Sequence, residues 1–166
     1  MRADKIYLVG FMAAGKTSLA RELGRRLDWR VEDVDDRIEA REHLPVASIF
    51  STYGEAYFRA VERSIVLDLL VPRHIIVATG GGTFVEPESR SLIKADGAVF
   101  WIDVPMAQLI ERLPLDGSRP LATNRQQFEQ LYQTRQLTYA QAHVRLDGTR
   151  ASVGELADQV VEWLGA

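Results

Sequence analysis

The alternation of apolar and polar residues divides the chain into segments of two different periods. Ile6-Tyr7-Leu8-Val9 is a short continuous apolar run of strand type. Leu19, Leu23 and Leu27 then recur at every fourth position, as one face of a helix that closes at Leu27-Asp28-Trp29. Arg30-Val31-Glu32-Asp33 reads as a weaker second strand, and Asp33-Val34-Asp35-Asp36 opens a short helix through Ile38 and Glu39. Pro45 starts another helix, with Val46, Ile49 and Phe50 on its apolar side. Gly54 separates that helix from a longer one carrying Phe58, Val61, Ile65 and Leu69, which Pro72 ends. His74-Ile75-Ile76-Val77-Ala78 has the composition of a buried strand, and Gly80-Gly81-Gly82 follows it directly. Pro87 lies near the start of a helix ending at Asp96-Gly97, and Ala98 to Asp103 is the next strand. Pro105 suits the first turn of a helix running to about Leu113. Pro114 to Asn124 is a polar loop, Arg125 to about Ala142 is helical, and Val144-Arg145-Leu146 is a last short strand. Ser152-Val153-Gly154-Glu155 matches a capping box for a terminal helix.

Strands alternating with helices in this way predict an α/β domain whose parallel sheet is covered on both faces. At 166 residues a single domain is expected, large enough to bury about 70 % of its unfolded surface. There is no internal repeat, linker or low-complexity stretch. The absence of cysteine excludes a disulfide framework and any Cys-based zinc site. No apolar run approaches the ~20 residues of a membrane span, and Met1 to Lys5 leads straight into a strand, so a soluble cytoplasmic protein is expected. A net charge of −3 argues against a general nucleic-acid binder. Lysine occurs only at 5, 16 and 94, against seventeen arginines. Arginine presents a planar fork to carboxylate and phosphate, which directs attention to individual arginines.

The most specific chemistry lies between the first strand and the first helix. Gly10-Phe11-Met12-Ala13-Ala14-Gly15-Lys16-Thr17 fits G-x-x-x-x-G-K-[ST] at every fixed position, in the strand-turn-helix context a phosphate-binding loop requires. Successive backbone N–H groups in such a turn can wrap a polyphosphate. Gly10 and Gly15 permit dihedrals and close approaches that a Cβ would hinder. Lys16 can reach the β- and γ-phosphates, and the Thr17 hydroxyl can ligate Mg²⁺.

In a parallel sheet, ligands bind outside the carboxyl ends of the strands. That end also holds Asp33 and Asp35 after the second strand, the glycine triplet after the third, and Asp103 after the fourth. The aspartate pair can be helix-capping, or one carboxylate can serve Mg²⁺ while the other takes a proton from a substrate hydroxyl. The triplet can be a plain turn, although three glycines after a buried strand suit close approach to the backbone. Arg59 has Glu62 three residues on, and taken alone this reads as an exposed ion pair. Arg112, Arg119 and Arg135 are equally uninformative singly, and His43, His74 and His143 read as structural or surface residues.

Taken together and in order, these pieces resemble the shikimate kinase family over nearly the whole chain. The P-loop is joined by Asp33-x-Asp35-x-x-Ile38-Glu39, Gly54-Glu55-x-x-Phe58-Arg59-x-x-Glu62, Gly80-Gly81-Gly82, Arg119-Pro120-Leu121 and Arg135-x-x-x-Tyr139. The resemblance implies a three-layer P-loop kinase fold with a five-stranded parallel sheet in the order 2-3-1-4-5. It implies transfer of the ATP γ-phosphoryl group to the 3-hydroxyl of shikimate, with an acceptor-binding region at about 34–62 and a lid at about 113–124. By that resemblance Asp35, Arg59, Gly81, Gly82 and Arg135 bind shikimate, and Asp33 and Thr17 serve Mg²⁺. Gly10, Ala13, Ala14, Gly15, Lys16, Thr17 and Ser18 hold the nucleotide, Arg112 packs near its adenine and Arg119 reaches its phosphates from the lid. Lys16, Asp35 and Arg119 are the implied catalytic residues, and a monomer is expected. Ala13 and Ala14 stand where the family often has Gly and then Gly, Ser or Ala, and the segment at Asp147-Gly148-Thr149 that should border the adenine matches loosely. Another small-metabolite kinase, such as a gluconate kinase, would share the P-loop but not the paired arginines. A GTPase switch would need Asn-Lys-x-Asp, whereas Asn124 is followed by Arg125.

Overall fold

The computed structural model describes residues 1–113 and 125–166. Its elements run β1 (Lys5–Val9), α1 (Lys16–Leu27), β2 (Arg30–Asp33), α2 (Val34–Glu42), α3 (Val46–Tyr53), α4 (Glu55–Leu69) and β3 (Ile75–Ala78). They continue with α5 (Pro87–Asp96), β4 (Ala98–Asp103), α6 (Met106–Arg112), α7 (Arg125–Tyr139), β5 (Val144–Asp147) and α8 (Val153–Leu164). The five strands form one parallel sheet in the order β2-β3-β1-β4-β5. This is the order the resemblance implied.

The central strand explains the arrangement. All of Lys5–Val9 is buried, with Tyr7 paired to Val77 on one side and to Val99 on the other. A strand buried on both faces needs helices above and below, and each parallel pairing needs a crossover long enough to supply one. The order changes direction beside β1, so the loops leaving β1 and β3 open onto a crevice at the carboxyl edge of the sheet.

Differences from the expected boundaries have local causes. His74 takes φ 55° and its N–H donates to the Asp4 carbonyl at 2.7 Å, so β3 begins one residue later. Helix α7 stops at Tyr139 because Gln141 and Ala142 donate to Thr138 and Tyr139, tightening the chain into turns. The terminal capping box forms as expected, with Ser152 and Glu155 each accepting the other's backbone N–H. Among the described residues no helix is long and apolar enough to cross a membrane.

Candidate active site

A cleft of about 780 Å³ follows the carboxyl edge of the sheet. Its floor is the P-loop, from Met12 through Ser18. Gly15 is left-handed at φ 100°, and a Cβ there would enter open space. Gly10 also has positive φ, but its hydrogen is required by the protein itself: a Cβ would lie 2.9 Å from the Ile102 carbonyl of β4. One glycine thus seats the loop on the sheet and the other opens it to a ligand. Lys16 is nearly buried, and its ammonium donates to the carbonyls of Gly10 at 2.7 Å and Phe11 at 2.9 Å. Arg112 reaches over the same loop, donating to the Ala13 carbonyl at 3.2 Å.

Asp33 caps the second helix, as one of its two readings had it, and also bonds to the P-loop. Its Oδ1 accepts the Asp36 N–H, capping α2, while Oδ2 accepts the Thr17 hydroxyl at 2.9 Å. A hard cation that keeps several waters needs only a few protein oxygens beside substrate phosphates. The paired Thr17 and Asp33 oxygens fit Mg²⁺ on those terms. Among the described residues no cluster of three or more His, Asp or Glu could hold a metal alone. Asp36 and Glu39 also line the cleft, and burial with Asp33 and Glu39 nearby raises the Asp36 carboxyl above its usual range.

The glycine triplet brings together side chains from three dispersed segments. A Cβ at Gly80 would lie 2.7 Å from the Asp35 Oδ1, and one at Gly81 would lie 3.2 Å from Arg135 Nη1. A Cβ at Gly82 would fall within the Arg59 guanidinium. Three segments far apart in sequence therefore meet where side chains are missing. Arg59 is not the exposed pair its spacing suggested. It bonds Glu62 at 2.9 Å, and Glu62 is 1 % exposed. Burial pushes the Glu62 carboxyl up, against the pull of Arg59 and of the Thr83 hydroxyl, which donates to it at 2.9 Å. Thr83 in turn accepts the Gly80 N–H at 2.9 Å, so α4 and the triplet are held as one unit. Thr83 gave no signal in sequence, because a threonine after glycines has no distinguishing pattern. Arg135 is 6 % exposed, lies 5.7 Å from the Phe11 ring centre, and its Nε–H has no acceptor among the described residues.

Asp35, Gly80 and Gly81 line the main cleft, and Arg59 and Arg135 adjoin that lining at Gly82 and Gly81. At the other end, Val104, Gly148, Ala151, Val153 and Leu156 give an apolar lining that sequence reasoning located only as the loose match around Gly148. Asp103 faces away from this chemistry, accepting from Gln136 at 3.1 Å and Arg145 at 2.8 Å. The histidines are structural: His43 ends α2 in the left-handed region, and His143 Nδ1 accepts the Val99 N–H at 3.0 Å. Arg119 lies outside the described residues.

A P-loop beside a carboxylate-bearing second strand, with two arginines converging on a glycine turn, defines a P-loop kinase for a small acidic acceptor. The sequence profile described as Shikimate kinase matches residues 12–165. A shikimate kinase of Persephonella marina is 34% identical over 157 residues, covering 94% of this chain and 96% of its own. One of Neisseria gonorrhoeae is 40% identical over 140 residues, covering 82% of each. The solved shikimate kinase of Acinetobacter baumannii in complex with shikimate superposes with a TM-score of 0.92 at 29% identity, over 97% of this chain and 92% of that one. The chain belongs to the shikimate kinase family, and with it to the ATP-dependent kinases.

Proposed function

We propose that this chain, acting as a single domain, transfers the γ-phosphoryl group of ATP to the 3-hydroxyl of shikimate, giving shikimate 3-phosphate and ADP. The observation that carries the proposal is the meeting of Asp35, Arg59 and Arg135 on Gly80-Gly81-Gly82, at the end of the P-loop cleft. The acceptor's carboxylate is taken by the two guanidinium forks and the Gly81-Gly82 backbone, because forked donors suit a planar anion. The Asp35 carboxylate accepts the proton of the attacking hydroxyl as its oxygen bonds to the γ-phosphorus and the bond to the β-phosphate oxygen breaks.

The P-loop N–H groups from Ala13 to Ser18 bind the phosphates. Lys16 turns from its own loop carbonyls to the β- and γ-phosphates, where its charge stabilises the transition state more than the ground state. Arg112 and the apolar wall around Gly148 border the purine. Thr17 and Asp33 would hold Mg²⁺ with water and phosphate oxygens. Bound there, the ion neutralises charge on the β- and γ-phosphates. The segment at 113–124 serves as a lid whose Arg119 meets the phosphates, and closure excludes water from the phosphoryl group. The enzyme works as a cytoplasmic monomer.

The test is ADP formation by the purified chain with ATP, Mg²⁺ and either shikimate or gluconate. Shikimate-dependent turnover giving the 3-phosphate supports the proposal. Turnover that is equal with gluconate, or independent of acceptor, overturns it.

A further inference from the structure

The motif Arg135-x-x-x-Tyr139 contains a residue to which the reaction assigns no part. Tyr139 is fully buried near the end of α7, with its ring 6.2 Å from that of Trp101. Its hydroxyl donates to the Gly81 carbonyl across the acceptor end of the site. Four residues apart on a helix, Arg135 and Tyr139 share a face, and both side chains meet the same glycine.

We propose that Tyr139 is a positioning residue for the acceptor carboxylate: its hydroxyl sets the plane of the Gly81–Gly82 peptide and ties that peptide to the helix turn carrying Arg135. This deepens the acceptor reading above and rests on it. A trans peptide is planar, so holding its C=O on one side turns its N–H to the other. Among the described residues all peptide bonds are trans. The Gly82 N–H, buried beside the Arg59 guanidinium, makes no hydrogen bond among the described residues. Glycines hold their orientation poorly by themselves, since they lack a Cβ to restrict φ and ψ. The triplet is therefore held from two sides, by Thr83 and Glu62 at Gly80 and by Tyr139 at Gly81. Burial pushes the Tyr139 hydroxyl up to about 12, so it stays a donor throughout the neutral range.

A control exists on the same helix. The Tyr132 hydroxyl donates to the Val104 carbonyl at 2.9 Å, a bond of the same class that touches no glycine of the triplet. The experiment compares Tyr139→Phe, Tyr132→Phe and Arg135→Gln in the full chain by steady-state kinetics, equilibrium shikimate titration and thermal unfolding. Each phenylalanine fills its ring's space, so both variants are expected to fold, with similar small losses of Tm. For Tyr139→Phe the KM and Kd for shikimate should rise about tenfold, with KM for ATP and kcat within about threefold of the parent. Tyr132→Phe should leave shikimate affinity within about twofold. Arg135→Gln should abolish measurable shikimate binding.

If Arg135→Gln lowers affinity but Tyr139→Phe does not, or if both tyrosine variants weaken shikimate equally, the assignment of Tyr139 is overturned while the acceptor site stands. If Arg135→Gln leaves shikimate affinity intact, the acceptor reading falls and the inference falls with it.

Discussion

The two ends of the sheet carry similar charged residues in opposite states of completion. At the amino end, Lys5 is fully buried and its ammonium donates to the carbonyls of Leu69 and Leu70 and to Asp96 at 2.6 Å. Asp96 also accepts from the Tyr7 hydroxyl at 2.6 Å and from Arg73 at 2.7 Å, and Arg73 is paired in turn with Asp4. Burial would raise the Asp96 carboxyl, but the bonds from Lys5, Tyr7 and Arg73 hold it below its usual range. Burial pushes the Tyr7 hydroxyl far up, and the Asp96 charge adds to it. Lys5, Tyr7 and Arg73 each meet an acceptor within the protein. At the carboxyl end, Arg135 keeps a buried Nε–H without an acceptor among the described residues, and Gly82 an unused N–H. An unmet buried donor costs stability. The first end is therefore built for the fold and the second for a ligand.

The largest expected effect compares the two buried lysines. Lys16→Met keeps length but removes charge at the transferring phosphoryl group, so kcat should fall by about 10³-fold or more. Its unfolding midpoint should stay near that of the parent. Lys5→Met should do the reverse. Removing one partner of a buried pair leaves Asp96 undercompensated and should cost about 3 kcal/mol, with kcat retained at low temperature. Assays paired with urea unfolding read both quantities. If Lys5→Met abolished turnover in the folded protein, or Lys16→Met chiefly unfolded it, the division between the two ends would be wrong.

A smaller effect is expected at Asp35, which lies against Gly80 in the lining of the cleft. Asp35→Asn keeps the shape but accepts no proton, so kcat should fall about 10²-fold with shikimate affinity less affected. A kcat within threefold of the parent would move the proton acceptor elsewhere, with Asp36 or Glu39 in the same cleft the residues to replace next.

How much of this was legible in sequence follows from how each part is built. The P-loop is one contiguous segment acting through its backbone, so its spacing alone located Gly10, Gly15, Lys16 and Thr17. The strand order followed from resemblance, since alternation fixes a parallel sheet but not which strands are neighbours. Arg59 read as a surface pair because a helix spacing says nothing of the third element that buries it, here the turn carrying Thr83. Nothing in sequence joins Lys5 to Asp96, 91 residues away, or Tyr139 to Gly81. Side-chain bonds that close over long loops have no period to read, whereas a capping box such as Ser152-x-x-Glu155 closes over three residues and was read correctly.

The smallest effect tests whether the ligand end also stores backbone strain. Ala13 takes φ 65°, a left-handed conformation that costs a residue with a Cβ about 1 kcal/mol. Its neighbour Ala14 has no positive φ and is buried at 3 % exposure. The two alanines should therefore respond to glycine with opposite signs. Ala13→Gly removes the left-handed penalty and adds unfolded-state freedom worth about 0.4–1 kcal/mol, for a net gain of a few tenths. Ala14→Gly has no strain to relieve, gains the same unfolded freedom and loses a buried methyl, so it should be destabilised by about 1–2 kcal/mol. Differential scanning calorimetry should place Ala13→Gly at or slightly above the parent and Ala14→Gly several degrees below it. If both fell together, the left-handed turn at Ala13 would be unstrained, and the P-loop would store no backbone strain at that residue.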